Sequence, residues 1–326
     1  MKKKIWFAVL LACLALFCLL VLILTPKRMC GVCYGPFRNG QSPDKDIFPS
    51  KGEITADITF LSKKVTAIRT YGSGNTLEVI PSVCDKAGIG LYMGIWLGRD
   101  KEANKKEMEA GIRLAQEKHK SIKGIIVGSE VLQRKDLSED DLIGYIQEVK
   151  KRTNIPVTTA EIAKPIIDHP KVAAAVDFLF LHIYPYWEAI SEENGMSCIF
   201  ETYDMFSKSF PGKQVIIGET GWPTAGDKLG GAIPSESNQA KYLKEFVAKA
   251  KEKKIKYFYF EAFDESWKDM FEGKVGSHWG IWYSDGRIKP GIKPFVTSSG
   301  GDGITRSSLS EARHSVNEDT GLPFPK

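Results

Sequence analysis

Two glutamates in this sequence each end a short apolar run. The run Gly124-Ile-Ile-Val-Gly-Ser ends on Glu130, and Val215-Ile-Ile-Gly ends on Glu219. A carboxylate at the end of an apolar strand is costly to desolvate unless it is paired or used. A single such acid could simply cap the next helix or pair at a rim. Two of them suit chemistry that needs a proton donor and a nucleophile, as cleavage of a glycosidic bond does.

The stereochemical course of that chemistry depends on the gap between the two carboxyl groups. A retaining mechanism needs about 5–5.5 Å and an inverting one about 6.5–9.5 Å. The two pKa values must also differ, so that one group stays protonated near neutral pH. Neither quantity can be measured from a sequence.

Short apolar or β-branched runs alternate along the chain with amphipathic, charge-rich stretches such as 100–119, 138–152 and 237–254. This alternation predicts a closed (β/α)8 TIM barrel. An open, doubly wound sheet would usually carry a Gly-rich phosphate turn after its first strand, and Gly35-Pro-Phe-Arg-Asn-Gly40 does not fit one. The eight predicted strands are Gly31–Tyr34, Ala67–Gly72, Gly90–Trp96, Gly124–Glu130, Pro156–Glu161, Phe178–Pro185, Gln214–Gly221 and Tyr257–Glu265.

The active site of such a barrel gathers at the carboxyl ends of the strands. Glu130 and Glu219, on strands four and seven, would therefore face each other across the barrel mouth. Aromatic residues cluster at the same strand ends, which favours a carbohydrate groove because sugar rings present apolar CH faces. These aromatic residues are Tyr34, Tyr71, Trp96, Tyr184, Tyr186, Trp187, Trp222, Trp267, Trp279 and Trp282.

The net charge of +5 is confined to the first part of the chain. Six basic residues and no acidic ones lie in residues 1–42, and the remainder is nearly neutral, so the charge does not indicate a nucleic-acid partner. Residues 5–24 are apolar and uncharged, long enough to span a membrane, and no small-x-small cleavage site follows them. We expect an N-terminal anchor in residues 1–28, with a cleaved signal peptide and secretion as the alternative. Lys2–Lys4 would stay in the cytoplasm, so the catalytic domain would lie outside it.

Residues 29–296 form the expected catalytic domain, and 297–326 form a polar tail with little to bury, which predicts disorder. Cys30 and Cys33 form a C-x-x-C that lacks a second ligand pair, and on a strand the two side chains would point to opposite faces. That pattern favours a structural interpretation over a metal site or a disulfide. Cys84 and Cys198 could form a disulfide in an oxidising compartment, and the sequence leaves this pairing open. No metal, nucleotide or other cofactor is expected.

Several segments closely resemble glycoside hydrolase family 17, the β-1,3-glucanases, in its bacterial form. The resemblance covers most of Val32–Pro290, and the Gly-Glu-Thr-Gly-Trp-Pro sequence that ends on Pro223 is its most specific part. The other matching segments are Tyr34–Pro43, Ile68–Tyr71, Gly124–Glu130, Phe260–Lys268 and Trp279-Gly.

The resemblance implies roles for particular residues. Glu130 would be the acid/base and Glu219 the nucleophile of a retaining enzyme acting on laminarin-like glucans. Glu265 and Lys268 would form an accessory charged pair near the site. The expected substrate-binding residues are Tyr34, Arg69, Tyr71, Ser129, Tyr184, Trp187, Trp222, Glu265, Lys268 and Trp279.

One position departs from the family pattern. The family usually has asparagine immediately before the strand-four glutamate, where its amide can bond the sugar 2-hydroxyl, and this chain has Ser129. Such bonds strengthen in the transition state and can supply several kcal/mol. A shorter hydroxyl predicts slower catalysis or an altered substrate preference.

The sequence therefore predicts a monomeric β-1,3-glucan hydrolase that works by double displacement. Two alternatives remain open. In a transglycosylase a sugar hydroxyl replaces water in the second step, and a non-catalytic glycan-binding barrel would keep the groove without turnover.

Overall fold

The computed structural model describes residues 28–292. Each of the eight predicted strands is present, with shifts of a few residues at the ends, except that the last is much shorter than predicted. The strands are β1 (Met29–Cys33), β2 (Val65–Arg69), β3 (Gly90–Ile95), β4 (Ile122–Ser129), β5 (Val157–Ile162), β6 (Leu179–His182), β7 (Val215–Thr220) and β8 (Tyr257–Tyr259).

Helices connect successive strands. Three of them match the predicted amphipathic stretches, and Ser138 caps one of these by accepting a hydrogen bond from the Asp141 backbone N–H at 3.1 Å. The helices are α1 (Lys51–Leu61), α2 (Ile80–Ala87), α3 (Lys101–Gln116), α4 (Glu139–Arg152), α5 (Ala163–Asp168), α6 (Pro170–Ala175), α7 (Glu192–Ser209), α8 (Glu236–Glu252) and α9 (Asp269–Glu272). Four short 3₁₀ segments lie at Pro43–Lys45, Asn75–Val79, Ser266–Lys268 and Gly273–His278.

The eight strands close a parallel barrel in sequence order, with β1 paired to both β2 and β8. The predicted TIM barrel is thus confirmed. Beyond Tyr259, where strand β8 ends, the backbone forms hydrogen bonds both with β1 and with the segment around Ile281. The Glu261 backbone carbonyl accepts from the Ile281 N–H at 2.8 Å, and the Ala262 N–H donates to the Cys33 backbone carbonyl at 2.9 Å.

Four cysteines lie in the described part of the chain, and each is a free thiol. Cys30 and Cys33 sit on β1 as predicted, which agrees with their structural interpretation. Cys84 and Cys198 are also unpaired, so the structure gives no disulfide between them.

Within residues 28–292, no helix combines the length and the apolar character needed to cross a membrane. The anchor predicted at residues 5–24 and the tail predicted at 297–326 lie outside the described residues. Both assignments stay predictions.

Candidate active site

Glu219 lies on β7 and is almost completely buried, with 5% of its surface exposed. Arg69 from β2 places Nη1 2.7 Å from Oε1. The Tyr71 hydroxyl donates to Oε1 at 2.8 Å and the Tyr184 hydroxyl donates to Oε2 at 2.6 Å. Three of the predicted substrate-binding residues therefore contact the predicted nucleophile directly.

These contacts govern the ionisation of Glu219. Burial by itself would raise the pKa of the carboxyl. His182 and Arg69 oppose that effect electrostatically, and the two tyrosine hydroxyls donate hydrogen bonds to the charged form. Their combined effect holds the pKa of Glu219 below its ordinary value. The group is thus an anion at neutral pH, as a nucleophile must be.

The backbone beside Glu219 can approach the neighbouring strand β6 closely because residue 218 is glycine. A Cβ at Gly218 would lie 2.1 Å from a ring carbon of Phe180 on the neighbouring strand. A larger residue there would push β7 away from β6. The glycine before Glu219 thus allows the close strand approach that fixes the carboxylate.

Glu130 lies on the turn that follows β4. Its φ of +54° and the φ of +77° at Gly128 turn the backbone out of the strand. The Glu130 N–H donates to the Ala160 carbonyl of β5 at 2.7 Å, which ties the turn to the barrel. About 31% of the Glu130 side chain is exposed, so this carboxyl is much more open to the groove than Glu219 is.

His182 lies between the two carboxyl groups. Its Nδ1 is 2.6 Å from Oε1 of Glu130 and 3.4 Å from Oε2 of Glu219. One carboxylate oxygen of each glutamate and a ring nitrogen of His182 lie within 4.8 Å of one another. The structure therefore brings the two predicted catalytic residues together across the barrel mouth.

A set of two carboxylates and one imidazole could also ligate a metal ion. Arg69 bears on that possibility, because its guanidinium lies 2.7 Å from Glu219 and would repel a cation held there. The donor set around Glu219 is that of an ion-paired carboxylate, and it suits acid–base and nucleophilic chemistry.

Ser129 is buried and takes part in the same network. Its hydroxyl oxygen accepts a hydrogen bond from Nη2 of Arg69 at 2.8 Å. The guanidinium carbon of Arg69 lies 3.6 Å from the ring centroid of Tyr71. Arg69 therefore connects the position before Glu130, the Glu219 carboxylate and a tyrosine that orients that carboxylate.

The predicted pair of Glu265 and Lys268 is present, with 2.8 Å between Oε2 and Nζ. Sequence reasoning missed its third member, Glu261, which also forms an ion pair with Lys268. Burial, reinforced by the charge of Glu265, raises the pKa of the Glu261 carboxyl although Lys268 opposes this effect. Lys268 lies 5.9 Å from the ring centroid of Tyr71, so the cluster borders the site.

Three aromatic residues predicted to bind substrate belong instead to the core. Tyr34, Trp222 and Trp279 are fully buried and offer no surface to a sugar. The Tyr34 hydroxyl donates to Asp57 at 3.0 Å. The Trp222 indole N–H donates to the Ile233 carbonyl at 3.0 Å, and that of Trp279 donates to Glu272 at 2.8 Å. The predicted binding role of these three residues is corrected because no face of their rings is exposed to a sugar.

Trp187 keeps an open surface at the end of β6, with 43% exposed. Its ring centroid lies 4.9 Å from that of Tyr186 and 5.9 Å from that of Trp279. Buried aromatic rings thus support an exposed one. This arrangement agrees with the predicted binding role, which stays a prediction.

Two further residues at the site were absent from the predicted set although a signal for them existed. His182 ends β6, and Glu161 lies near the end of β5 after the β-branched run Val157–Thr159, so both are polar residues near strand ends, as the two glutamates are. Glu161 is fully buried, and its Oε1 accepts from the Leu132 N–H at 2.7 Å, on the turn that carries Glu130. Burial, with a smaller contribution from Glu130, raises the pKa of Glu161 to about 7.

Comparisons with known proteins agree with this geometry. Residues 31–280 match a family profile described as the BtgE/BtgC glycoside hydrolase domain. Glucan 1,3-beta-glucosidase BGL2 of Candida albicans is 28% identical over 281 residues, covering 78% of this chain and 89% of the relative. Glucan endo-1,3-beta-glucosidase btgC of Emericella nidulans is 25% identical over 296 residues, covering 81% of this chain. The chain spans only 45% of that relative's length.

Among solved structures, a glycoside hydrolase family 17 β-1,3-glucanosyltransferase from Rhizomucor miehei superposes with a TM-score of 0.72. The two sequences are 30% identical, and the match covers 81% of this chain and 96% of the other. An active-site mutant of the Rhizomucor miehei β-1,3-glucanosyltransferase was solved in complex with laminaritriose. A hydrolytic and a transferring activity are thus both named among the similar proteins.

Proposed function

Because the chain belongs to the BtgE/BtgC glycoside hydrolase family, we propose that it cleaves β-1,3-linked glucan by double displacement with retention of configuration. In the first step the Glu219 carboxylate attacks the anomeric carbon while Glu130 donates its proton to the departing glycosidic oxygen. The carbon–oxygen bond to the leaving sugar breaks, and a glucosyl ester of Glu219 forms. In the second step Glu130 takes a proton from the incoming hydroxyl, whose oxygen displaces Glu219.

The spacing of the two carboxyl groups carries this proposal. One carboxylate oxygen of Glu130 lies within 4.8 Å of one carboxylate oxygen of Glu219, and His182 lies between the two groups. A carboxyl separation of about 5–5.5 Å suits direct attack, whereas a water between sugar and base needs about 6.5–9.5 Å. The contrast in environment supports the same division of roles, since Glu219 is buried and ion-paired while Glu130 is open to the groove.

Hydrolysis and transfer share the first step and differ only in the acceptor. Water gives shorter glucans, and a sugar hydroxyl gives longer ones. The relatives named above include glucosidases and a glucanosyltransferase, so both outcomes fit the family. We propose hydrolysis as the main reaction and transfer as the second candidate.

The two carboxylate roles can be separated by azide rescue. We expect Glu130→Ala to keep its first step on an aryl glucoside with a good leaving group, and added azide should then give a β-glucosyl azide. Glu219→Ala should give the α-glucosyl azide from the same activated aryl β-glucoside, because azide then displaces the aryl group from the side that Glu219 occupied. Glu109→Gln, at an exposed glutamate on α3, is the matched control and should behave as the parent. The opposite product configurations would overturn the assignment.

Product analysis on linear β-1,3-gluco-oligosaccharides decides between the two candidate functions. Exclusively shorter products support hydrolysis, and products longer than the substrate support transfer. A chain that binds laminarin but forms no glucosyl–Glu219 intermediate from an activated fluoro-glucoside would instead be a non-catalytic glycan-binding barrel.

We also propose that the catalytic barrel works outside the cytoplasm, attached to the cell membrane through residues 5–24. The support is the uncharged apolar run and the lysines at positions 2–4 that precede it. In cells expressing the full chain, the protein should sediment with membranes and be cleaved by externally added protease. A chain beginning at Lys27 should not sediment, and a full chain recovered in the medium would favour secretion.

A further inference from the structure

Trp96 follows β3 directly, at the carboxyl end of the barrel, and 44% of its surface is exposed. The preceding residue, Ile95, and the following one, Leu97, are both buried. Because both neighbouring side chains are packed in the core, the backbone at residue 96 is fixed, and the Trp96 indole stays on the exposed side.

One face of the Trp96 ring is covered by a cation. The guanidinium carbon of Arg134 lies 4.5 Å from the indole centroid, within the range of a cation–π contact. Arg134 comes from the turn after β4, so the stack joins the β3 and β4 ends of the barrel. The Arg134 contact leaves 44% of the Trp96 surface exposed.

Arg134 is itself fixed by three hydrogen-bond contacts. Its Nη2 donates to the Leu97 carbonyl at 2.9 Å, and its Nε donates to Asp136 at 2.7 Å. Its Nη1 donates to the carbonyl of Ser129, the residue before Glu130. The backbone of Trp96 also hydrogen-bonds to the Glu107 carboxylate. The ring is therefore a preorganised surface tied to the backbone that carries the proton donor.

We propose that the open face of Trp96 stacks against a glucosyl unit on the leaving-group side of the cleaved bond, and that it holds the acceptor sugar during transfer. The inference rests on the proposed function. The sugar that Trp96 would contact is identified by the link through Arg134 to the backbone next to Glu130. The carboxyl that protonates the leaving oxygen lies on the leaving-group side of the bond. The apolar CH face of a pyranose matches a flat ring that is already rigid, so little conformational entropy is lost on stacking.

The test compares two substrates. A long β-1,3-gluco-oligosaccharide places sugar units on the leaving-group side of the bond, whereas β-glucosyl fluoride has a single atom there and offers Trp96 nothing to stack on. Trp96→Ala should lower kcat/KM on the oligosaccharide about threefold to tenfold, the effect of losing burial of the exposed share of one aromatic side chain. The rate on β-glucosyl fluoride should stay at the parental value. Trp96→Phe, which keeps an aromatic face, should recover most of the loss.

Met205→Ala is the matched control, since Met205 is an exposed apolar residue on α7, with 43% exposed, and should change neither rate. Transfer products, where they form, should fall relative to hydrolysis in Trp96→Ala. Equal losses on both substrates, or no loss on the oligosaccharide, would overturn the proposal.

Direct binding separates failure of this site from failure of the proposed function. Calorimetric titration of Glu219→Gln with the same oligosaccharide should show weaker binding when Trp96→Ala is added. If the parent binds the glucan but does not cleave it, the proposed reaction fails while the binding comparison still decides the Trp96 site. If the parent neither binds nor cleaves it, both proposals fail.

Discussion

Replacing Arg69 by methionine tests how the site ionises its nucleophile. The Arg69 guanidinium is completely buried and lies 2.7 Å from Glu219, which is itself 6% exposed at its side chain. Methionine keeps the length and apolar bulk of the side chain but removes the charge and its donors. The Tyr71 and Tyr184 hydroxyls remain to donate to the carboxylate.

The expected direction follows from the lowered pKa of Glu219. An opposite charge within about 4–6 Å lowers a carboxyl pKa by about 1–3. Removing Arg69 should therefore raise the pKa of Glu219 by a similar amount. Only the ionised carboxylate attacks, so activity is lost as pH falls through this pKa, and the acidic limb of kcat/KM should move to higher pH by about 1–3 pH units. Breaking a buried ion pair also costs about 3–5 kcal/mol of stability.

The assay is kcat/KM on an activated aryl β-glucoside across the acidic pH range, with far-ultraviolet circular dichroism to show that each variant is folded at the assay temperature. Arg113→Met is the matched control, because Arg113 is exposed on α3 and pairs at 2.6 Å with Glu78, which is not one of the catalytic glutamates. It should leave the acidic limb unchanged. A folded Arg69→Met protein with the parental acidic limb would refute the claim that Arg69 sets the ionisation of Glu219.

Three further predictions concern buried groups around the site. At pH 8.5, Glu161→Gln should have a free energy of unfolding in urea up to about 3 kcal/mol higher than the parent's. Burial raises the pKa of the parent's Glu161 carboxyl to about 7 in the folded state, so the parent loses stability as pH rises from the carboxyl's pKa in the unfolded chain through 7. An equal difference at pH 5 would contradict this. Lys268→Met should cost about 3–5 kcal/mol in thermal or urea unfolding, since it leaves two buried carboxylates uncompensated; parental stability would refute the ion-pair argument. Gly218→Ala should cut kcat at least about tenfold, because its Cβ would lie 2.1 Å from Phe180, whereas Gly144→Ala, with no atom within 4 Å, should not.

The carboxyl-end location of the site could be predicted from the sequence because a parallel barrel gathers its strand ends at one mouth. The acids that end apolar runs identified Glu130 and Glu219, and the structure places their oxygens within 4.8 Å. Glu161, also an acid near a strand end, fell outside the predicted set. Its side chain turns beneath the Glu130 turn, where it bonds the Leu132 N–H and does not reach the groove.

The aromatic residues show the limit of this reasoning. Trp96, Trp187 and Trp222 all follow strands, yet the first two are exposed and the last is fully buried. A residue just beyond a strand can turn toward the mouth or toward the surrounding helices, and the sequence pattern does not distinguish these directions. Packing decides the direction: the buried indole N–H of Trp222, for example, donates to the Ile233 carbonyl at 3.0 Å.

The sequence by itself determined the order and approximate positions of the repeating elements, and with them the barrel and the strand ends near which Glu130 and Glu219 lie. This follows because periodic burial is a local property of a chain. The tertiary structure alone decided that His182 lies between the two carboxyl groups, that Arg69 joins Ser129 to Glu219, and that Lys268 has two acidic partners. The contacts of His182 and Arg69 join side chains far apart in the sequence. The distances in all three groups depend on barrel closure, strand stagger and side-chain packing, which no single segment encodes.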